Sequence, residues 1–132
     1  MENDDAVITI QDLLFRWRPD GPPILDIAQW TAHRGERLFI KGASGSGKST
    51  LLSLLGGVIT PQSGIVRILG HNLQEMSNAL RDRFRADHIG FIFQMFNLLP
   101  YLSPIENVLL PCRFSPLRRS RSLKHGTTLE VE

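Results

Sequence analysis

Gly42-Ala43-Ser44-Gly45-Ser46-Gly47-Lys48-Ser49-Thr50 decides how the rest of this 132-residue chain is read. Four free positions separate Gly42 from Gly47, and Lys and Ser follow at once. That spacing suits a polyphosphate for specific reasons. Glycines let the backbone curl so that successive N–H groups point inward, and a helix opening at the loop's end adds the positive end of its dipole. Lys48 then reaches the β- and γ-phosphates, and the Ser49 hydroxyl is placed to ligate Mg²⁺.

The flanks of the loop fit this reading. Arg37-Leu38-Phe39-Ile40-Lys41 is a short apolar run delivered straight into Gly42, the buried strand that such a loop needs before it. After the loop, leucines at 51, 52, 54 and 55 predict a helix, and Gly56-Gly57 ends it.

Further out, residues 6–15 are rich in β-formers and predict a first strand. Arg18-Pro19-Asp20-Gly21-Pro22-Pro23 is a dense turn signal, and a second strand follows over about 24–32, with Ala28, Trp30 and Ala32 on one face. Beyond the loop's helix come a turn at 60–64 and a strand at 65–69. Met76, Leu80 and Phe84 then form one helical stripe between about 74 and 86. Residues 89–93 predict another buried strand, ending at the polar Gln94. Ser103-Pro104-Ile105-Glu106 is a capping box with Pro at the first helical position, for a helix that reaches Pro111 at most. From Arg113 to Gly126 no period emerges. Thr127-Thr128-Leu129-Glu130 repeats the capping-box pattern just before Glu132, and reads as a chain cut inside a helix too short to persist.

Composition narrows the class. With 42% hydrophobic and 21% charged residues the chain is an ordinary globular one. Its net charge of +2 is too small to imply a nucleic-acid partner. The local basic run Arg113, Arg118, Arg119, Arg121 and Lys124 is read as a solvated face, since it lacks the interleaved aromatics of a single-strand groove. One cysteine, Cys112, excludes an internal disulfide and suits a reducing compartment. The acidic start Met1-Glu2-Asn3-Asp4-Asp5 is unlike a secretory signal, and no apolar run approaches the eighteen or so residues of a membrane span. The expected location is cytoplasmic, with membrane association through a partner. His33, His71, His88 and His125 have no ligand-like spacing and are read as structural.

With these pieces placed, Ile89-Gly90-Phe91-Ile92-Phe93-Gln94 and the Phe96-Asn97-Leu98-Leu99-Pro100 and Glu106-Asn107-Val108 wording that follows it resemble the glutamine-loop region of the ATPase subunit of an ATP-binding-cassette (ABC) transporter. The resemblance covers residues 6–112 and is nearest the lipoprotein-releasing, macrolide-exporting and cell-division subgroup of bacteria. It implies an α/β fold of the P-loop NTPase kind, an antiparallel β-element leaning on a partial RecA-like sheet. Residues 1–112 would be the ATP-binding core portion and 113–132 the start of a helical subdomain.

The cofactors implied are ATP and Mg²⁺. Gly42, Ser44, Gly45, Ser46, Gly47, Lys48, Ser49 and Thr50 would hold the phosphates, with Ser49 on the metal. Gln94 would touch Mg²⁺ or the attacking water, and with Lys48 would form the catalytic pair in this chain. Trp17 stands where the family places an aromatic that stacks on adenine, although a hairpin-packing tryptophan is the other reading. The partners implied are a membrane permease and a second ATPase subunit.

The departures from the family's pattern are as informative. No Leu-Ser-Gly-Gly-Gln-type signature occurs, and no aspartate follows Asp87. Of the later glutamates, Glu106, Glu130 and Glu132, none follows an apolar strand. The Asp that would hold Mg²⁺ and the Glu that would polarise water are therefore missing. Weak or no nucleotide binding and no appreciable hydrolysis are expected of these 132 residues alone, and uncovered apolar surface should favour self-association. Two other classes remain open: a non-catalytic nucleotide-binding module, and a small P-loop kinase with the Arg113–Arg121 cluster as its lid. The kinase lacks its acidic metal ligand.

Overall fold

The first strand shifts, half-way along, which of its alternating positions point into the core, and that shift sets the rest of the sheet. A computed structural model describes residues 5–95 and 97–124. In it β1 (Ala6–Phe15) buries Ile10, then Leu13 and Phe15, so the alternation slips by one residue between them. The slip is a β-bulge. The β1–β3 register shifts between Gln11 and Leu14, and Asp12 between them takes φ 49, a left-handed conformation that Asp tolerates. Gly64, at φ 91, lies against this bulge so closely that a β-carbon would collide with the Asp12 carbonyl.

β2 (Leu25–His33) and β3 (Ser63–Ile68) flank β1, and both pair with it antiparallel. The two-residue β4 (His71–Asn72) extends the order to β2-β1-β3-β4. Leu69 and Gly70, both at positive φ, make the tight β3–β4 turn. Buried under the sheet are Ile10, Leu13, Phe15, Ala32, Val66 and Ile68, joined by Leu54 of α1 (Lys48–Leu55) and by Leu73. Each large aliphatic among them contributes roughly 1.5–3 kcal/mol. Gln74 closes this end, accepting from the Val66 amide at 3.2 Å and donating to the Gly64 carbonyl.

Strand, helix and turn expectations hold closely for residues 6–15, 24–32, 49–55 and 65–69. The predicted helix over 74–86 becomes a 3₁₀ turn (Leu73–Glu75) and then α2 (Asn78–His88). Two predicted strands do not form. Residues 37–41 and 89–93 carry no ladder among the described residues, and the sheet is antiparallel throughout. An extended run becomes a strand only when a neighbour takes its N–H and C=O groups, and neither run has such a neighbour among the described residues. The α/β fold with its antiparallel β-element is formed, while the two runs expected in the partial RecA-like sheet carry no ladder among the described residues. An apolar cleft of about 320 Å³ lies where residues 38–40 approach β2, lined by Ile27, Trp30, Leu38, Phe39, Ile40 and Leu51 among others. Trp30, expected on the packed face with Ala32, is half-buried at this cleft.

The chain packs as two units that divide between Arg81 and Asp82, inside α2. In the second unit α3 (Pro104–Phe114) starts at the expected capping box. Ser103 Oγ accepts from the Glu106 amide at 3.2 Å, and the Glu106 carboxylate accepts from the Ser103 amide at 2.7 Å. The helix does not stop at Pro111. It continues to Phe114 with Pro111 exposed inside it, at the loss of the one hydrogen bond that an amide N–H at position 111 would have made to the Asn107 carbonyl.

The stretch that showed no period contains α4 (Pro116–Lys124). Ser115, fully buried, caps it by accepting from the Arg118 amide at 3.1 Å and donates its hydroxyl to Asp87 at 2.6 Å. Arg118 in turn donates to the carbonyls of Ala86 and Ile89. Arg118 of α4 therefore satisfies carbonyls at the C-terminal end of α2, while Asp87 of α2 holds the residue that caps α4. The capping pattern at 127–130 and His125 lie outside the described residues.

Candidate phosphate-binding site

The loop 42–47 is shaped by three glycines used in different ways. Gly45 and Gly47 have φ of 79 and 97, which L-residues with side chains rarely adopt. Gly42 is tightly packed by Ser46: a β-carbon there would force Ser46 Oγ to move and press on Ser46 Cβ at 3.2 Å. The Ser46 amide donates to the Ala43 carbonyl at 3.1 Å, closing the curl.

Gly47 is also the cap residue of α1, and its carbonyl takes the Leu51 amide at 2.9 Å. Among the described residues no side chain caps this end and no acidic residue stands in the first turn. The amides of the first turn have no intrahelical acceptor, so they form a set of donors at the positive end of the helix. Lys48 spans the loop's mouth, with Nζ donating to the Gly42 carbonyl and, at 3.4 Å, to that of Ala43. Ser44 and Ser49 are exposed, whereas Thr50 is buried beside Leu54 in the helix's packed face.

Trp17 is brought to the same end of the first unit. Gly47 lies against Ile24 and Leu25, with distances of 3.0 and 3.1 Å to a β-carbon built on the glycine. Leu25 pairs with Phe15, and the Phe15 and Trp17 rings meet edge to face at 5.0 Å and 89°. Trp17 is 61% exposed, so its ring is not a core residue.

Gln94 belongs to the second unit, exposed in an irregular segment that also holds the stacked rings of Phe91 and Phe93, 6.0 Å apart. Asn107 fixes the chain that follows. It accepts from the Leu99 amide at 2.8 Å and donates to the carbonyls of Leu99, Leu102 and Ser103. The Ser103 main-chain and hydroxyl hydrogen bonds hold the Glu106 carboxyl below the usual carboxylate range, with Arg113 assisting. Among the described residues no group of three His, Cys, Asp or Glu side chains converges on a metal position. Sequence reasoning missed Asn107 and Ser115 as organisers. The second had a legible signal, a Ser followed by Pro at the first helical position.

A glycine curl that opens into an uncapped helix, with a lysine across its mouth, defines the P-loop class of nucleotide-binding proteins. Comparison with known proteins narrows the class. The model of the ABC transporter family matches residues 25–130, and the chain belongs to that family.

Among its relatives, the lipoprotein-releasing system ATP-binding protein LolD of Chromohalobacter salexigens is 41% identical over 111 residues, 83% of this chain and 47% of that protein. The macrolide export ATP-binding/permease protein MacB 1 of Yersinia pseudotuberculosis is 42% identical over 109 residues, 77% of this chain and 17% of that protein. The solved dimeric, post-hydrolysis structure of the ATP-binding cassette MJ0796, bound to ADP and Pi, superposes with a TM-score of 0.75 at 31% identity. It covers 95% of this chain and 58% of that one. The chain thus spans about half the length of the LolD relatives it matches. No helix among the described residues is long and apolar enough to cross a membrane.

Proposed function

We propose that this chain supplies the phosphate-holding part of the ATP site of a bacterial ABC transporter ATPase, and that the whole protein couples ATP binding and hydrolysis to a membrane permease. The observation that carries the reading is the loop 42–47 curled over Lys48 and opening into the uncapped first turn of α1. In this reading the amides of Gly45, Gly47, Lys48, Ser49 and Thr50 face the phosphates, and Lys48 exchanges its loop carbonyls for phosphate oxygens. Ser44 and Ser46 complete the rim. Thr50, only 7% exposed, contributes its amide and not its hydroxyl.

Mg²⁺ suits the donor set available. It takes few protein oxygens and completes its shell from phosphates and water, and the exposed Ser49 hydroxyl is such an oxygen. Gln94 is assigned, from the family resemblance alone, a contact to the metal or the attacking water. Trp17 offers an exposed ring face to adenine. Residues 1–112 would form the ATP-binding core portion and 113–132 the start of a helical subdomain. The partners are a permease and a second ATPase subunit at the inner face of the cell membrane, and the names of the relatives favour lipoprotein release or small-molecule export over import.

Phosphoryl transfer depends on charge neutralisation by groups acting as a unit, and this sequence has no Asp after Asp87 and no signature segment. The 132 residues should therefore bind nucleotide weakly and release no phosphate. A steady phosphate-release assay on the purified chain tests this, and turnover that Lys48→Ala abolishes would overturn it.

A further inference from the structure

We propose that Gln62 is a positioning residue for Trp17, a side-chain clamp that holds the aromatic platform beside the phosphate loop. The proposal rests on the reading of residues 42–50 and Trp17 as a nucleotide site. The β1–β3 ladder ends where Leu14 pairs with Ser63. Past that point Gln62 takes over the work of a strand. The Arg16 amide donates to Gln62 Oε1 at 2.9 Å, and Gln62 Nε2 donates to the Arg16 carbonyl at 2.6 Å. These are the two bonds a facing strand residue would exchange with Arg16, made instead by one carboxamide. The Arg16 guanidinium closes the other side of the turn, donating to the Gly21 carbonyl at 2.6 Å, while the Gly21 amide donates to Arg18 at 3.0 Å.

The clamp matters because of what Trp17 lacks. A buried ring is held by its neighbours, but Trp17 is mostly exposed and meets Phe15 only edge to face. Its orientation therefore rests on that edge contact and on the main chain at Arg16, the first residue beyond the strand. Gln62 reaches that main chain from the opposite end of the sequence separation, 46 residues away, and fixes both of its polar groups. A flat, exposed ring becomes a stacking surface only if its place is settled before the ligand arrives, because ordering it afterwards costs affinity. Gln62 touches no phosphate position. Its effect should fall on the base half of a nucleotide and spare the triphosphate half.

The test compares Mg·ATP with magnesium tripolyphosphate on the 132-residue chain, in wild type, Gln62→Ala, Gln62→Glu and Lys48→Ala. Gln62→Glu keeps the shape but turns a carboxylate toward the Arg16 carbonyl. Both Gln62 variants should weaken Mg·ATP about three- to tenfold and leave tripolyphosphate unchanged, with faster hydrogen exchange at the Arg16 amide and lower Trp17 fluorescence anisotropy in a Trp30→Phe background. Equal weakening of both ligands, or unchanged Mg·ATP affinity, overturns the proposal. If wild type binds neither ligand, these 132 residues do not form a nucleotide site on their own. The clamp then stands or falls on the Arg16 exchange and Trp17 anisotropy alone, where values equal to wild type overturn it.

Discussion

Gly47 and Ile24 are in contact across 22 intervening residues: a β-carbon on Gly47 would stand 3.0 Å from Ile24 Cγ2 and 3.1 Å from the Ile24 carbonyl oxygen. The glycine that ends the phosphate loop is therefore also the point where the loop rests on the hairpin. Its φ of 97 adds a second demand, since a side chain is strained there whatever the space. Gly47→Ala should cost about 1–3 kcal/mol of stability and abolish nucleotide binding together. Denaturant midpoints and a Mg·ATP titration check both effects. A variant as stable as wild type that still binds would show that the contact is dispensable.

Gly64 carries a comparable demand with no link to the ligand. At φ 91 it faces the bulge of β1, where a β-carbon would stand 2.6 Å from Leu13 Cα and collide with the Asp12 carbonyl. Backbone cannot swing aside as a side chain does. Gly64→Ala should lower stability by about 2 kcal/mol or more, the range of strained backbone with a steric clash. Urea unfolding followed by far-ultraviolet circular dichroism reads this directly.

The capping box of α3 makes a pH-dependent contribution. Hydrogen bonds from Ser103 depress the Glu106 pKa, so the ionised form is the one the fold favours. The stabilisation is fully present above the ordinary carboxylate range, and is lost as pH falls through the depressed folded value. Protection of α3 amides should therefore drop on acidification. Glu106→Gln, which keeps the reciprocal bond without a titrating proton, should flatten that dependence. An α3 whose protection falls just as steeply in the glutamine variant would remove Glu106 from the account.

Residues 37–41 and 89–93 show what the sequence could and could not disclose. Leu38-Phe39-Ile40 and Phe91-Ile92-Phe93 carry the composition of buried strands, yet Phe39 is 89% exposed and Ile92 fully so. Composition reports the propensity of a segment. It does not report whether a neighbouring strand is there to pair with, and none is among the described residues. By contrast, the limits of β1, α1 and the Gly56-Gly57 stop were legible because each depends on local chemistry. Gly57, at φ 69, even completes the expected cap, with the Val58 amide bonding to the Ser53 carbonyl at 2.9 Å.

The bulge at Asp12 and the clamp by Gln62 were not legible, since each depends on a partner some fifty residues away. Of the candidate site, the loop was readable from its spacing alone. The contacts that lead from Trp17 through Phe15 and Leu25 to Gly47 were not.

Those exposed runs carry a prediction of their own. Apolar side chains in extended, unpaired backbone are templates for association. Sedimentation of the purified chain should show concentration-dependent oligomers, and Phe39→Ser with Ile92→Ser should reduce them. A monomer with a sharp unfolding transition independent of concentration would run against this expectation.

The central claim is that residues 42–50 hold the phosphates of a nucleotide. The most direct measurement is a titration of the isotope-labelled chain with Mg·ATP at up to millimolar concentration, followed at each backbone amide. The account predicts shifts centred on the amides of Gly45, Gly47, Lys48, Ser49 and Thr50, and their loss in Lys48→Ala. Shifts that leave these amides untouched, or that persist undiminished in Lys48→Ala, would contradict it.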